Sequence, residues 1–387
     1  MNMIKYNGVI NSKLPAVGTT IFTIMSKLAQ EQNAINLSQG FPDFNCSDKL
    51  VNLVSDYMKK GFNQYPPMQG AMPLRERISE MVEGLYGTSY SPDSEITITA
   101  GATQAIYTAI SAFVREGDEV IVFEPAYDCY VPAIEMNGGK PIFVKLKQPD
   151  FSIDWQMVKK LVNHHTRMII INTPHNPSGA VFKENDLKEL EKLTRDTDVI
   201  VLSDEVYEHM YFNDTKHWSV VRSKFLAERS VLVSSFGKTV HTTGWKIGYV
   251  AAPANLMTEF RKVHQFLVFA VNHPIQMALA EFLKEKDNYS EVKNFYKQKR
   301  DLFAKLISGS RFSFEPSAGT YFQLLKYDAI SKEKDTDFAI RLTKEHKIAS
   351  VPLSVFYHLP EDNNFLRFCF AKKDETLEKA AEILCKL

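Results

Sequence analysis

The chain has 387 residues, 44% of them hydrophobic and 24% charged, the make-up of a folded globular protein and not of a disordered one. Its 46 Lys and Arg balance its 46 Asp and Glu, so no net positive charge favours a nucleic acid or an acidic membrane surface. A chain of this length calls for more than one domain.

The start, "MNMIKYNGVINSKLP", lacks the apolar stretch of a signal peptide. No long apolar run reads as a membrane helix. Cys46, Cys129, Cys369 and Cys385 are widely spaced and form no CxxC pair, which reads as free thiols in a reducing compartment. The ten histidines show no HExxH pattern. The expectation is a cytoplasmic protein that binds neither nucleic acid nor membrane and holds no metal.

In chain order, residues 17–32 carry the spacing of an amphipathic helix, followed by the irregular "SQGFPDF". From about 47 to 285, helical patterns alternate with seven short apolar runs: "EITITA", "DEVIVFEP", "KPIFVKL", "RMIIINTP", "DVIVLSDE", "SVLVSSF" and "KIGYVAAP". Val- and Ile-rich runs bounded by Pro, Gly or polar residues read as buried, mostly parallel strands joined by helices. "KIGYVAAP" follows "SVLVSSF" too closely for a crossover, so an antiparallel pairing is expected there. Beyond 285 come a charged helix, "NYSEVKNFYKQKRDLFAKLI", then "GTYFQLLKY", "DTDFAIRLTKEHKI", "NNFLRFCFAKK" and a last helix. This reads as an α/β protein. Residues 1–46 would join the small domain, 47–285 would hold a seven-stranded sheet between helices, and 286–387 would form a smaller α+β domain.

Ligands of open α/β sheets bind beyond the carboxyl ends of the strands, so the residues there matter most. In "ITITAGATQA" the N–H groups of Ala102, Thr103 and Gln104 open a helix, either as a plain cap or as an anion site. Tyr127 in "FEPAYDCY" is a core residue or a stacking platform for a flat ring. Asn176 in "INTPHNPSG" belongs to a simple turn or is an amide held in a fixed place. Asp204 and Tyr207 follow an all-apolar strand. A carboxylate there caps the next segment or needs a cation or a strong donor as partner, and no adjacent Lys or Arg supplies one.

"SSFGKTVHTTGWKIGY" places Lys238 just past a buried strand and Lys246 eight residues on. The GKT triplet is no P-loop, because Leu232 stands where that motif needs glycine. No GxGxxG appears. A lysine in a low-dielectric pocket near other cations has a lowered pKa and can form a Schiff base. An aldehyde cofactor with a phosphate, a flat ring and a pyridinium nitrogen uses all these parts together.

Taken in order, "NQYPPMQG", "GATQA", "NTPHNPSG", "SDEVY" and the lysine motif resemble a fold-type I aminotransferase of class I/II over nearly the whole chain. The similarity is greatest to the kynurenine and glutamine–phenylpyruvate branch. Within that branch, "LSQGFPDF", "SSFGKT", "PLSVF" and "LRFCFAKK" look most like bacterial methionine aminotransferases.

The resemblance implies pyridoxal 5′-phosphate. Lys238 would be its Schiff-base lysine and proton shuttle. Asp204 would pair with the ring nitrogen, Tyr207 and Asn176 with the ring's 3-oxygen, and Tyr127 would stack on its face. Ala102, Thr103, Gln104, Ser235 and Lys246 would form the phosphate end. Relatives often carry Arg at the Lys246 position, and a lysine offers a point charge there in place of a fork. Tyr65 would reach the phosphate of a neighbouring subunit, which implies a homodimer. Arg367 would clamp the substrate carboxylate, with Gly40 and Asn176 beside it and Phe22 in the side-chain pocket. The implied reaction moves the amino group of methionine, or of aromatic and other neutral amino acids, to a 2-oxo acid by a ping-pong cycle. A carbon–sulfur β-lyase on the same fold is the nearest alternative. A regulatory sensor is disfavoured, since about 16 residues ahead of the first helix leave no room for a DNA-binding domain.

Overall fold

The computed structural model describes residues 4–212 and 216–387. The first helix spans Ile21–Glu31, later than the apolar pattern begins, because the Thr20 hydroxyl accepts the Thr23 N–H and caps it there. After it comes a short strand, β1 (Ile35–Asn36). The seven apolar runs form β2 (Ile96–Thr99), β3 (Glu119–Glu124), β4 (Lys140–Lys145), β5 (Thr166–Asn172), β6 (Ile200–Asp204), β7 (Ser230–Ser235) and β8 (Gly248–Ala251).

These seven make one sheet in the order β2-β8-β7-β6-β5-β3-β4. Strand β8 runs antiparallel to both its neighbours, and the other pairings are parallel. The short link over residues 236–247 permits no helical crossover, so the chain turns straight back into the sheet. The carboxyl ends of six strands and the amino end of β8 therefore share one edge.

Alternate residues of the central strands feed two separate cores. Ile169, Ile171, Val201 and Leu232 enter one, while Ile170, Leu202, Val231 and Val233 enter the other. Both faces are thus covered, which is why these strands read as continuous apolar runs. Strand β4 is an edge, and its sequence KPIFVK carries the proline and lysines that discourage further pairing.

A third core gathers Phe212, Phe303, Tyr327, Phe338, Leu366 and Phe368 with Met25 and Leu37. Its strands are β9 (Phe322–Lys326), β10 (Ile348–Ala349), β11 (Val351–Pro352) and β12 (Phe365–Cys369). The order β11-β12-β9 is antiparallel, and β1 pairs parallel with β10. The charged helix expected from 288 is two helices, Asp287–Ser290 and Val292–Leu306. The break at Glu291 lets Tyr289 join the core beneath the large sheet while Val292 joins the third core. Among the described residues no helix is long and apolar enough to cross a membrane.

Candidate active site

The shared sheet edge explains how distant motifs meet. Ser235, the last residue of β7, pairs with Gly248, and Gly248 pairs with Thr99 of β2. Lys246, two residues ahead of β8, is thereby set beside the turn that follows β2. Gly101 in that turn has φ 78° and ψ 171°, and a Cβ there would lie 3.3 Å from both Cε and Nζ of Lys246. Only glycine suits this backbone and this closeness. Gly101 opens the helix Ala102–Phe113, whose first N–H groups have no partner within the helix. Among the described residues no carboxylate pairs with Lys246.

A cavity of about 320 Å³ opens at this edge. Lys238, Asp204, Tyr207, Asn176, Ala102, Thr103, Tyr127, Ser235, Lys246, Arg367, Gly40 and Phe22 all line it. Two of the expected residues do not. Gln104 turns its side chain back, accepting the Ala100 N–H at 2.9 Å and donating to Thr108 Oγ1 at 2.6 Å. Its contribution within this chain is to tie down the helix start. Tyr65 stands 80% exposed, edge-on to Phe269 and away from the cavity.

Lys238 sits in a helical turn, Phe236–Thr239, directly after β7. Its Nζ donates to Tyr321 Oη at 2.6 Å and to the Gly40 carbonyl at 3.1 Å. Burial, with Arg367 and Lys246 nearby, pushes its amine down to about 8. Asp204 ends β6 and is buried. Burial raises its carboxyl to about 6, against the pull of the Tyr130 hydroxyl, which donates to Oδ2 at 2.6 Å. The Asn172 side chain at the end of β5 donates to the Asp204 carbonyl at 2.9 Å and accepts the Asn176 N–H at 2.8 Å. That fixes the "NTPHNPSG" loop on its neighbour strand.

Arg367, on β12, is 1% exposed and faces no carboxylate among its hydrogen-bond partners. Its Nη1 donates to Asn176 Oδ1 at 2.8 Å and its Nη2 to the Ser38 carbonyl at 3.0 Å, while Nε is buried with no partner. Three rings surround the guanidinium carbon: Phe322 at 3.9 Å, Phe22 at 5.2 Å and Phe356 at 5.2 Å. A buried cation with an unsatisfied donor beside a cavity is built to receive an anion.

Sequence reading missed Tyr130, Asn172, Tyr321 and Phe322. Asn172 and Tyr130 stand inside quoted motifs, each within four residues of a named one, and strand-end position alone could have flagged Asn172. Nothing in "GTYF" marks Tyr321, which reaches Lys238 only through the third core.

The sheet with its one antiparallel member, the lysine turn and the buried arginine at the cavity are the arrangement of a fold-type I transaminase. The chain belongs to the aminotransferase class I and II family, whose model matches residues 32–384. It is 50% identical to methionine aminotransferase of Escherichia coli over 97% of this chain and 98% of that one. An Escherichia coli crystal structure described as having a methionine aminotransferase function superposes with a TM-score of 0.96, at 49% identity over 98% of this chain and 100% of that one. A kynurenine–oxoglutarate transaminase of Dictyostelium discoideum is 33% identical over 96% of this chain and 94% of its own length.

Proposed function

We propose that this chain uses pyridoxal 5′-phosphate to transfer the amino group of L-methionine, and of aromatic or other neutral amino acids, to a 2-oxo acid. The observation that carries this reading is Arg367. It is the one arginine lining the cavity among the described residues, and it is walled by aromatic rings. One arginine serves the α-carboxylate common to every amino acid. Among the described residues no second arginine lines the cavity for a distal carboxylate, and the rings suit a thioether or an aromatic side chain.

The residues present fit the cofactor. The free N–H groups at Ala102 and Thr103, with Ser235 and the unpaired Lys246, would hold its phosphate. Asp204 would hold its ring nitrogen, Asn176 and Tyr207 its 3-oxygen, and Tyr127 would lie against its face. When bound, the group supplies an electrophilic aldehyde and an electron sink. Lys238 would take the proton from the substrate Cα and pass it to the cofactor side. Its lowered pKa keeps a useful fraction of the amine neutral at pH 7. Arg367 and Asn176 orient the substrate, and the aromatic walls exclude water.

We read residues 1–46 and 286–387 as one small domain closing on the large domain at 47–285. We also read the active unit as a homodimer to which Tyr65 contributes across the interface.

The test is an absorbance spectrum of the purified protein, before and after adding L-methionine without a 2-oxo acid. The cofactor band should convert to that of the amino form. An unchanged band sinks methionine as donor. A chain that shows no band after reconstitution sinks the whole reading.

A further inference from the structure

Three atoms close a small triangle beside the cavity. Lys238 Nζ donates to Tyr321 Oη at 2.6 Å and to the Gly40 carbonyl at 3.1 Å, and Tyr321 Oη itself donates to that same carbonyl. The phenol's proton goes to Gly40, with the Tyr207 hydroxyl also in hydrogen-bonding contact, so a lone pair faces the amine. The ring cannot move away from this post. It is 1% exposed and lies edge-on to Phe322 at 4.9 Å and to Tyr207 at 5.2 Å, with Tyr296 at 5.6 Å. Burial also drives the phenol well above its usual range, so it stays protonated.

We propose that Tyr321 is a catalytic residue: its hydroxyl receives the Lys238 amine whenever that amine is free and holds it beside the Gly40 carbonyl, aimed at the substrate. The inference rests on Lys238 being the Schiff-base lysine. A released lysine has several rotatable bonds, and a fixed acceptor limits them. When Nζ takes the Cα proton it becomes an ammonium with three N–H bonds. Two are taken by Oη and the carbonyl, and the third is left to deliver the shuttled proton onward. Tyr321 neither gains nor loses a proton. The other charged and titratable groups around Nζ are Arg367 and Lys246, which disfavour the ammonium, Asp204 and Cys369, which favour it, and the Tyr207 ring, its centroid 5.5 Å from Nζ.

The experiment compares the wild-type chain with Tyr321→Phe, which keeps the ring and removes the hydroxyl. Both are loaded with pyridoxamine 5′-phosphate, which leaves the Lys238 amine free. They are then labelled with trace acetic anhydride across pH 6–10, and mass spectrometry reads the Lys238 peptide. Loss of an acceptor disfavours the ammonium, so the labelling midpoint should fall by about 1 pH unit. With L-methionine, kcat should drop roughly 10- to 100-fold while KM stays within about twofold. A ring needed only for packing would leave the midpoint where it is, and that result overturns the proposal even if activity falls. Should the variant fail to fold, a crystal structure of the wild type with pyridoxamine 5′-phosphate decides. Nζ within about 3.2 Å of Oη supports the role, and Nζ turned elsewhere overturns it. Borohydride trapping of pyridoxal phosphate on the wild type separates the two ideas. A trap on another lysine ends both, whereas a trap on Lys238 with an unmoved midpoint ends only this one.

Discussion

Asp204 shows how one buried side chain sets the chemistry of a site. A carboxylate at the end of an apolar strand is costly, and burial raises its pKa to about 6. The Tyr130 hydroxyl opposes that by donating to Oδ2 at 2.6 Å. Both groups are buried, so water cannot replace the bond. Removing it with Tyr130→Phe leaves the carboxylate with one donor fewer and moves its pKa up. The sign follows directly: below its pKa the carboxyl is neutral and no longer attracts a protonated ring nitrogen. Cofactor affinity titrated from pH 5 to 8 should therefore lose its acid limb earlier in the variant. The midpoint should shift upward by about 1 pH unit, the equivalent of a charged hydrogen bond of about 1.5 kcal/mol. An unshifted midpoint would mean that Tyr130 only packs.

The elements were legible to different degrees, for physical reasons. Strands buried on both faces announce themselves as apolar runs, and polar residues just beyond them stand out. That is why Asp204, Asn176 and Lys238 were visible and why the tight link to β8 gave its direction. Tyr321, which touches Lys238 from the third core, was not visible, because no local pattern records a contact spanning 83 residues. Gly40 was named for the substrate carboxylate, but its carbonyl contact with Lys238, 198 residues away, was not. Gln104 was visible for its backbone N–H at the helix start, and the structure adds a role for its side chain. Its position at a helix start is real, but its side chain serves the Ala100 N–H and Thr108. The turn before that helix yields a sharper expectation. Gly101→Ala puts a Cβ 3.3 Å from Cε and Nζ of Lys246, on a backbone with φ 78°. Strain of about 1–3 kcal/mol would fall on this turn and displace the lysine. Cofactor affinity should drop roughly 10- to 100-fold while the circular dichroism spectrum keeps its shape. Equal affinity in the two proteins would show that the turn has slack.

At the scale of the molecule, several large apolar side chains stand exposed, as the proposed homodimer would use. Tyr65 is 80% exposed, Phe266 86% and Phe269 49%, and the N-terminal arm presents Ile4 at 103%, Val9 at 88% and Ile10 at 76%. Tyr65 and Phe269 meet edge-on at 5.3 Å; exposed apolar side chains of this kind suit an interface, and a two-fold dimer is the simplest closed assembly. Tyr65 then has a use that its isolation within one chain denies it. Subunit mixing tests that use. Lys238→Ala abolishes the site in its own subunit but keeps a sound Tyr65 to lend. Tyr65→Ala keeps a sound Lys238 but lends nothing. If Tyr65 acts across the interface, each mixed dimer holds one intact site. Unfolding and refolding an equal mixture should then restore roughly a quarter of wild-type activity, since about half the dimers are mixed and each carries one good site of two. If Tyr65 serves its own subunit, no mixed dimer contains an intact site and the mixture stays as weak as its parents. Sedimentation of the wild type as a 44.1 kDa species would remove the premise altogether.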